Sequence, residues 1–430
     1  MLIFSPHISP RLRYTVDELL HRRWGLSVTF TSEEQEFARY TGPRICYNHT
    51  AAGGFHIVPS GLLAETGHRE TNVTTGTWEG EQVLFPEPGG DLPFDVLSMA
   101  FYLLSRYEEY HSLYTDEHGR FMATESIAYK TGNLQRPWLD VVLQKWEQQL
   151  CEFFPELKMK SSAYQFIPTF DIDMVRTFEG KPLWRSLSGG LRELLSGQRT
   201  RFSKRVQVWL GKTADPGDVF DYIRTQTHGL HPVIFWLLAD YSDMDKNLHW
   251  QHPLMKKTVS QCAAFAQPGI HPSYYSSVKD DVTEEEIARL QALTGNEEVA
   301  HSRQHFLRFT LPHTFEQLIA NGIQKEYSMG YASHIGFRAS TCFPFRFYNI
   351  VTDEATELEV IPFVVMDVTL KHYLELTPET AKEHISALVN EVRAVQGTFV
   401  ALWHNESLSE FDEWSGWRNV FEHLITTGKA

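Results

Sequence analysis

Two aspartates placed two residues apart form one pair of groups that could do chemistry. Asp171 and Asp173 close the apolar run Thr169-Phe-Asp-Ile-Asp. Residues at i and i+2 of a β-strand point to the same face. Two adjacent carboxylates repel each other unless a cation, a proton or an arginine lies between them. The pair therefore predicts a site for positive charge at the end of a strand.

Histidines close two further apolar runs. Gly269-Ile-His271 ends one of them, and Val400-Ala-Leu-Trp-His404 ends the other. A single histidine at a strand end is more often a structural group, but the ends of parallel strands meet at one edge of a sheet. Asp and His ligands with no thiolate beside them indicate a catalytic divalent-metal site with an open position. We expect zinc, with iron, manganese and cobalt as alternatives.

The elements that must position these residues alternate between strand and helix from residue 166 onward. Apolar, β-rich runs predict strands at 166–170, 233–238, 268–271, 360–365 and 398–403. Apolar residues at 3–4 spacing predict helices at 254–266, 283–293, 314–320 and 378–395. This alternation predicts an α/β fold, with a parallel sheet or barrel whose chemistry lies at the C-terminal ends of the strands.

The first part of the chain has a different pattern. Short β-like runs and turns are followed by amphipathic helices predicted at 94–110 and, after Pro137, up to residue 153. Pro155 and the polar stretch 156–162 read as a linker. The sequence therefore predicts a mixed α+β N-terminal domain of unknown role at 1–160 and a second domain at 161–430.

Composition excludes several classes of protein. The 430 residues carry a formal net charge of −15, which disfavours general nucleic-acid binding, and four cysteines are too few for a disulfide framework. No apolar run reaches the roughly 18 residues that span a bilayer, and the N-terminus lacks a signal-peptide pattern, so we expect a cytoplasmic protein. Asp243-Met-Asp245 opens like a calcium loop, but Leu248 stands where that loop needs glycine.

Three short motifs in the second domain resemble those of the NodB-type polysaccharide deacetylases, carbohydrate esterase family four. Thr169-Phe-Asp-Ile-Asp173 resembles the opening Thr-Phe-Asp-Asp motif, Gly269-Ile-His271 a metal-binding His motif, and Leu402-Trp-His404 the late Leu-x-His motif. The whole chain is also similar to a divergent bacterial subgroup with an uncharacterised N-terminal domain. The resemblance implies an irregular (β/α) barrel that removes acetyl groups from an N-acetylated sugar, polysaccharide or lipid-linked sugar with the help of a metal.

The resemblance also implies roles for individual residues. It makes Asp171 the general base, Asp173 and His271 metal ligands, and His404 the general acid toward the leaving amine. Arg303 matches an arginine that orients the catalytic aspartate. These roles agree with chemistry, because a bound metal lowers the pKa of water to roughly 7 while carboxylate and imidazole groups move protons.

The sequence departs from the family pattern at the second metal histidine. Tyr275 stands four residues after His271, where the family has that histidine, and His305 is our candidate replacement. Alternatively, His301 and His305 form an i, i+4 pair that would bind a metal by themselves on a helix. The Gly-Pro that follows the opening Asp pair in the family is replaced here by Met174-Val175. A catalytically silent glycan-binding or scaffold protein is therefore the second hypothesis.

Substrate contacts are predicted beside the catalytic motifs and in one basic segment. Ser273, Tyr274, Trp403 and Asn405 are candidates to line a sugar pocket. The stretch 176–212 holds nine Lys/Arg against two Glu, together with large apolar residues that include Trp184, Leu187, Leu191, Leu194, Leu195, Phe202 and Trp209. It is either a solvated helical face or a cover over the site that binds an anionic glycan or a lipid-linked phosphate, with peripheral membrane contact.

Overall fold

The computed structural model describes residues 1–110, 112, 114–279 and 281–429. The strands are β1 (Leu2–Phe4), β2 (Thr29–Thr31), β3 (Arg44–Tyr47), β4 (Phe55–Ile57), β5 (Thr75–Trp78), β6 (Glu81–Leu84), β7 (Gln165–Ile172), β8 (Val233–Trp236), β9 (Gln267–Ile270), β10 (His301–Ser302), β11 (Lys325–Glu326), β12 (Phe345–Asn349), β13 (Glu354–Val360), β14 (Val365–Met366) and β15 (Thr398–His404).

The α-helices are α1 (Pro10–Val16), α2 (Glu34–Arg39), α3 (Val96–Leu104), α4 (Ile127–Lys130), α5 (Trp138–Phe153), α6 (Leu183–Leu195), α7 (Arg199–Trp209), α8 (Phe220–Gln226), α9 (Pro253–Ala263), α10 (Val282–Thr294), α11 (His313–Ala320), α12 (Pro378–Ala394) and α13 (Arg418–Lys429). Two π-helical segments, Asp17–Arg23 and Thr369–Tyr373, lie beside them. Among the described residues, no helix has the length and apolar character needed to cross a membrane.

The chain forms two compact units that are not consecutive in sequence. The first comprises Met1–Gln165, Gly336–Pro362 and Glu391–Thr398, and the second comprises Phe166–Ile335, Phe363–Asn390 and Phe399–Ala430. The sequence predicted a single boundary at residue 160. The difference arises because hydrogen bonds between distant segments, which leave no periodic signal in the sequence, join the two later segments to the first unit.

The first unit contains a parallel sheet in the order β2-β1-β3-β4 and two antiparallel hairpins, β5-β6 and β12-β13. The helix predicted after Pro137 is confirmed as α5. The helix predicted at 94–110 is shorter, because α3 ends at Leu104 and a 3-10 turn follows at Tyr107–Tyr110. Arg106 between them has φ 54°, a left-handed conformation that interrupts a right-handed helix.

The second unit confirms the predicted α/β class with a parallel sheet. Its strand order is β11-β10-β9-β8-β7-β15-β14, and the registers of β7 with β8, β8 with β9 and β14 with β15 are parallel. The strand predicted at 360–365 is wrong in its bounds, since β13 ends at Val360 and β14 begins at Val365. Among the described residues of this unit, strand pairing runs from β11 at one edge of the sheet to β14 at the other. Closure of the sheet into a barrel therefore stays a prediction.

One buried carboxylate ties the late segment 336–362 into the first unit. Asp140 of α5 is fully buried, and its oxygens accept hydrogen bonds from Arg23 Nη1 at 2.6 Å, Thr341 Oγ1 at 2.8 Å and the backbone N–H of Cys342 at 2.8 Å. Removing one partner of a buried ion pair leaves the other charge uncompensated.

We therefore expect Asp140→Ala to lower the free energy of unfolding by about 3 to 5 kcal/mol, because Arg23 and the Cys342 N–H lose their acceptor. Urea unfolding followed by circular dichroism measures this change. Asp243→Ala removes an exposed carboxylate and is the matched control, with an expected change below about 0.5 kcal/mol. Equal effects of the two substitutions would contradict this account.

Candidate metal centre

The structure brings six of the predicted site residues together at the C-terminal ends of the strands in the second unit. Asp171 lies near the end of β7, and Asp173 follows that strand. His271 comes directly after β9, and His404 is the last residue of β15. Arg303 and His305 follow the two-residue strand β10. Parallel strands thus deliver all of these side chains to one edge of the sheet.

Three of these residues are arranged as metal ligands. His271 Nε2 lies 3.3 Å from Asp173 Oδ1, and His305 Nε2 lies 3.6 Å from Asp173 Oδ2. One ligand atom from each residue can be chosen so that all three lie within 4.8 Å of one another. Two imidazoles and one carboxylate are a ligand set that suits zinc and related divalent metals.

The second nitrogen of each histidine ring is already engaged. His271 Nδ1 lies 2.5 Å from the carbonyl oxygen of Arg303, and His305 Nδ1 lies 2.9 Å from Asp245 Oδ1. A carbonyl and a carboxylate only accept hydrogen bonds, so Nδ1 carries the proton in both rings. The neutral ring then has a lone pair on Nε2, directed toward Asp173. Hydrogen bonds of this kind orient histidines that bind metals.

The environment of Asp173 fits a cation. Its Oδ1 atom is buried and has no hydrogen-bond partner among the described residues, although the side chain as a whole is 32% exposed. When His271 is neutral, a carboxylate oxygen and an imidazole lone pair face each other across 3.3 Å, and neither can donate a hydrogen. A divalent cation would satisfy both atoms. Three protein ligands leave at least one coordination position open for water or substrate.

Asp171 lies beside this cluster and is held by a buried arginine. Arg303 Nη1 donates to Asp171 Oδ1 at 2.9 Å and to Thr169 Oγ1 at 2.7 Å, and its Nε donates to the carbonyl of Tyr327 at 3.0 Å. The other oxygen of Asp171 lies 3.7 Å from His271 Nε2. The guanidinium therefore fixes one carboxylate oxygen and leaves the other directed toward the metal ligands.

His404 is held by a second buried carboxylate. Asp367 follows β14 directly, and its Oδ1 accepts from His404 Nδ1 at 2.8 Å while its Oδ2 accepts from the His404 backbone N–H at 2.7 Å. The two bonds fix the backbone and the ring together. His404 Nε2 is left directed toward the cluster, 3.8 Å from Asp173 Oδ2.

The concentrated negative charge shifts the pKa values of the site. Burial alone would lower the pKa of His305, but Asp173 and Asp245 outweigh it and raise the pKa to about 9. Burial likewise lowers the pKa of His404, and Asp367 with Asp173 raises it to about 10. Burial would raise the pKa of Asp173, yet the neighbouring histidines hold it well below its usual value. These shifts show that the site favours positive charge.

Sequence reasoning missed three carboxylates near the site. Asp367 could have been found, because it follows β14 as Asp173 follows β7. Asp245 lies in the loop after β8, and no local pattern distinguished it once the calcium-loop interpretation had been rejected. Glu406 lies just beyond β15, where burial and the charge of Asp173 raise its pKa.

The alternative metal pair of His301 and His305 is wrong. His301 lies in strand β10 rather than on a helix, so the i, i+4 spacing does not bring the two rings together. Its ring stacks on Tyr327, with Nδ1 3.1 Å from the phenol oxygen. His305 instead joins His271, with ring centroids 5.0 Å apart.

Two of the predicted sugar contacts are also wrong. Trp403 is only 1% exposed, and its ring packs against Phe421 of α13, because the residue before His404 on a strand must face the opposite way. Asn405 is buried and its Nδ2 donates to the carbonyl of Met174 at 3.0 Å. It therefore joins two loops instead of lining a pocket.

The other two predicted sugar contacts have different surroundings. Ser273 is buried, and both its side chain and its backbone N–H bond to Glu286. Tyr274 is partly exposed, with Arg308 over its ring at 4.6 Å. Its backbone N–H donates to Asp245, the residue that holds His305. Contact of Tyr274 with a substrate stays a prediction.

Comparisons with known proteins give three kinds of result. Residues 1–155 match the model of a family of unknown function, DUF7033. A search of curated proteins gives no match for the chain. Similar solved structures include a "putative polysaccharide deacetylase" from Mycobacterium smegmatis, with 13% identity, a TM-score of 0.40, and coverage of 62% of this chain and 84% of that one.

Two further solved structures are similar to this chain. A CE4 family pseudoenzyme from Bacillus anthracis has 10% identity and a TM-score of 0.30, over 63% of this chain and 65% of that one. A 4-alpha-glucanotransferase from Thermococcus litoralis has 11% identity and a TM-score of 0.36, over 63% of this chain and 38% of that one. All three TM-scores lie below 0.5, so support for a function has to come from the residues of the site.

The role of Asp245 gives a test of the metal centre. We expect Asp245→Ala to weaken zinc binding roughly 10- to 100-fold, because His305 loses the acceptor that orients its ring. Titration of the metal-free protein with zinc, followed by competition with a chromogenic chelator, measures the affinity. Asp243→Ala removes an exposed carboxylate two residues away and is the matched control. Equal affinities for the two variants would argue against a metal held by His305.

Proposed function

We propose that this protein is a metal-dependent hydrolase that removes acetyl groups from an N-acetylated sugar or polysaccharide, with zinc as the metal. The observation that carries the proposal is the cluster of Asp173, His271 and His305. Asp171 and His404, two further groups able to move protons, each lie within 4 Å of a ligand atom of that cluster. Metal-dependent hydrolysis of an amide uses a set of groups of this kind.

A divalent cation, when bound, lowers the pKa of water and polarises the carbonyl group of an amide. The protein contributes the general base. Asp171 accepts a proton through the oxygen that Arg303 leaves free, because the guanidinium occupies only Oδ1. Since Arg303 is also bonded to Thr169 and Tyr327, the carboxylate cannot turn away. Arg303 acts here as a positioning residue.

His404 is suited to protonate the leaving amine. Asp367 accepts from Nδ1, so the proton available for transfer is carried by Nε2, the atom that faces the ligand cluster. The negative charge of Asp367 also favours the imidazolium form that a general acid needs. Amine departure requires such a proton, because an amide anion is a poor leaving group.

The sugar part of the proposal rests on the three motifs that resemble the NodB-type deacetylases. The motif residues Asp171, Asp173, His271 and His404 are the same ones that gather in the structure. The alternative hypothesis of a catalytically silent protein arose because Tyr275 stands where the family has its second metal-binding histidine. Tyr275 is exposed, and His305 supplies a ring nitrogen to the cluster instead. This substitution of one ligand for another favours an enzyme over a silent scaffold.

The proposal is tested by measuring zinc content and acetate release side by side. Asp173→Ala should lose both, whereas Asp171→Asn and His404→Gln should retain zinc and lose about 10²- to 10⁴-fold in kcat on N-acetylglucosamine oligomers, because each removes one proton transfer. His301→Gln is the matched control, since His301 lies outside the cluster, and should retain both properties.

Two results would contradict the proposal. Absence of stoichiometric zinc from the wild-type protein would remove the metal centre. Stoichiometric zinc without acetate release from any oligomer or bacterial N-acetylated glycan would favour the silent glycan-binding protein.

A further inference from the structure

Helix α6 exposes a continuous apolar face. Leu183 and Leu195 at its two ends are 82% and 80% exposed, and Trp184 is 66% exposed. The residues of this face recur at intervals of three and four along the helix and are all exposed: Leu183, Trp184, Leu187, Leu191, Leu194 and Leu195. An apolar face of a helix in a globular unit normally packs on the core. Here it points to solvent instead.

The opposite side of α6 holds the helix in place. Ser186, Gly190 and Glu193 are buried on that side, where α6 packs against α7. Glu193 accepts from Arg205 Nε at 2.8 Å and is also bonded to Arg201. Because small and charged residues make the contact with α7, turning the helix to hide its leucines would break these ion pairs. The exposed apolar face is therefore a fixed feature of the hairpin.

Positive charge borders this face in an otherwise acidic protein. The stretch 176–212 carries nine Lys/Arg against two Glu, although the formal net charge of the chain is −15. Arg176, Arg201 and Arg205 of this stretch are held in ion pairs within the protein, so the basic border comes from the others. Arg192 lies beside the leucines on α6 and is exposed, and Arg199 at the start of α7 is exposed too. Arg185 lies 3.4 Å from the ring centroid of Tyr241, at the same border.

We propose that α6 docks on an anionic lipid bilayer, with its leucines and Trp184 inserted among the headgroups and its arginines paired with lipid phosphates. A large apolar face, a basic border and an aromatic side chain are the features of helices that lie in the membrane interface. Each basic residue near an anionic membrane surface adds favourable electrostatic energy. A zwitterionic lipid surface has no net negative charge to attract these basic residues.

A second copy of the chain fits the surface less well. Self-association through α6 would bring two basic borders to one interface, and Glu193, the one acidic residue of α6, is buried and cannot pair with them. Like charges at an interface oppose binding. An anionic membrane removes that repulsion. The surface thus matches lipid in both its apolar and its charged parts.

Docking through α6 would bring the metal centre near the membrane. The hairpin of α6 and α7 follows β7, the strand that carries Asp171. At its base, Lys181 Nζ lies 3.3 Å from Met174 Sδ, next to Asp173, and Arg201 forms an ion pair with Asp412. The docking itself does not depend on the proposed hydrolysis, and a silent protein would bind membranes in the same way.

Flotation of the full chain with lipid vesicles tests the inference. We expect binding to phosphatidylcholine vesicles that contain phosphatidylglycerol, and little binding to phosphatidylcholine alone. Leu187→Glu/Leu191→Glu should reduce the partition coefficient by roughly tenfold or more, and Arg192→Glu/Arg199→Glu should remove the preference for phosphatidylglycerol. Val351→Glu, which changes a 60% exposed apolar residue of the β12-β13 hairpin, is the matched control.

Circular dichroism and thermal unfolding check that each variant is folded. Failure of the wild-type protein to float with phosphatidylglycerol would overturn the inference, as would equal binding by the double leucine variant. A dimer in light scattering that Leu187→Glu/Leu191→Glu converts to monomer, without any vesicle binding, would assign the face to a second copy and would also overturn it.

Discussion

The geometry of the candidate site depends on one short segment, Arg303-Gln-His305. The side chain of Arg303 reaches Asp171 on β7, and its carbonyl oxygen receives Nδ1 of His271. Two residues later, His305 adds its own ring to the cluster. Three consecutive residues therefore position the side chains of Asp171 and His271 and contribute the ring of His305. A shift of this segment would disturb all of them at once.

The backbone around this segment is held from several directions. The His305 N–H donates to the carbonyl of Pro272, and the Gln304 N–H donates to Ser328 Oγ at 2.8 Å. Directly afterwards, Phe306 and Leu307 adopt φ 60° and 55°, conformations that side chains disfavour. Strained residues of this kind cost about 1–3 kcal/mol each and persist where surrounding contacts over-determine them. These two strained residues directly follow His305, a candidate metal ligand.

Much of the site could be predicted because it follows from strand geometry. The i, i+2 spacing of Asp171 and Asp173, and the strand-end positions of His271 and His404, are visible in the sequence. The same geometry could have excluded Trp403 from the pocket, since adjacent strand residues face opposite ways. Trp403 was expected to contact a sugar because aromatic rings suit sugar rings, and its position on the strand next to His404 was not considered.

Other features depend on contacts between distant parts of the chain and could not be predicted. Asp245 lies sixty residues before His305, to which it is bonded, and the loop that carries it has no periodicity. The return of 336–362 to the first unit likewise rests on Asp140, whose partners are about two hundred residues away. Apolar periodicity reports which face of an element is buried, but not which distant segment covers it.

The charges of the site favour the binding of a cation. Four carboxylates surround the three histidines of the site: Asp171, Asp173, Asp245 and Asp367. Among these carboxylates, Asp171 is bonded directly to the guanidinium of Arg303. With neutral imidazoles, four negative charges would stand against one positive charge in a largely buried space, which is electrostatically costly.

Protons and a metal ion are two ways to meet this excess of negative charge. Protonation of the histidines is the first way: the raised pKa values of His305 and His404 allow their rings to carry positive charge. A divalent cation held by Asp173, His271 and His305 is the second way, and it would take the place of the proton on Nε2 of His305. Protons and metal therefore compete for the same atoms, as expected wherever histidine binds a metal. The carboxylates behind the ligands strengthen the binding of either one.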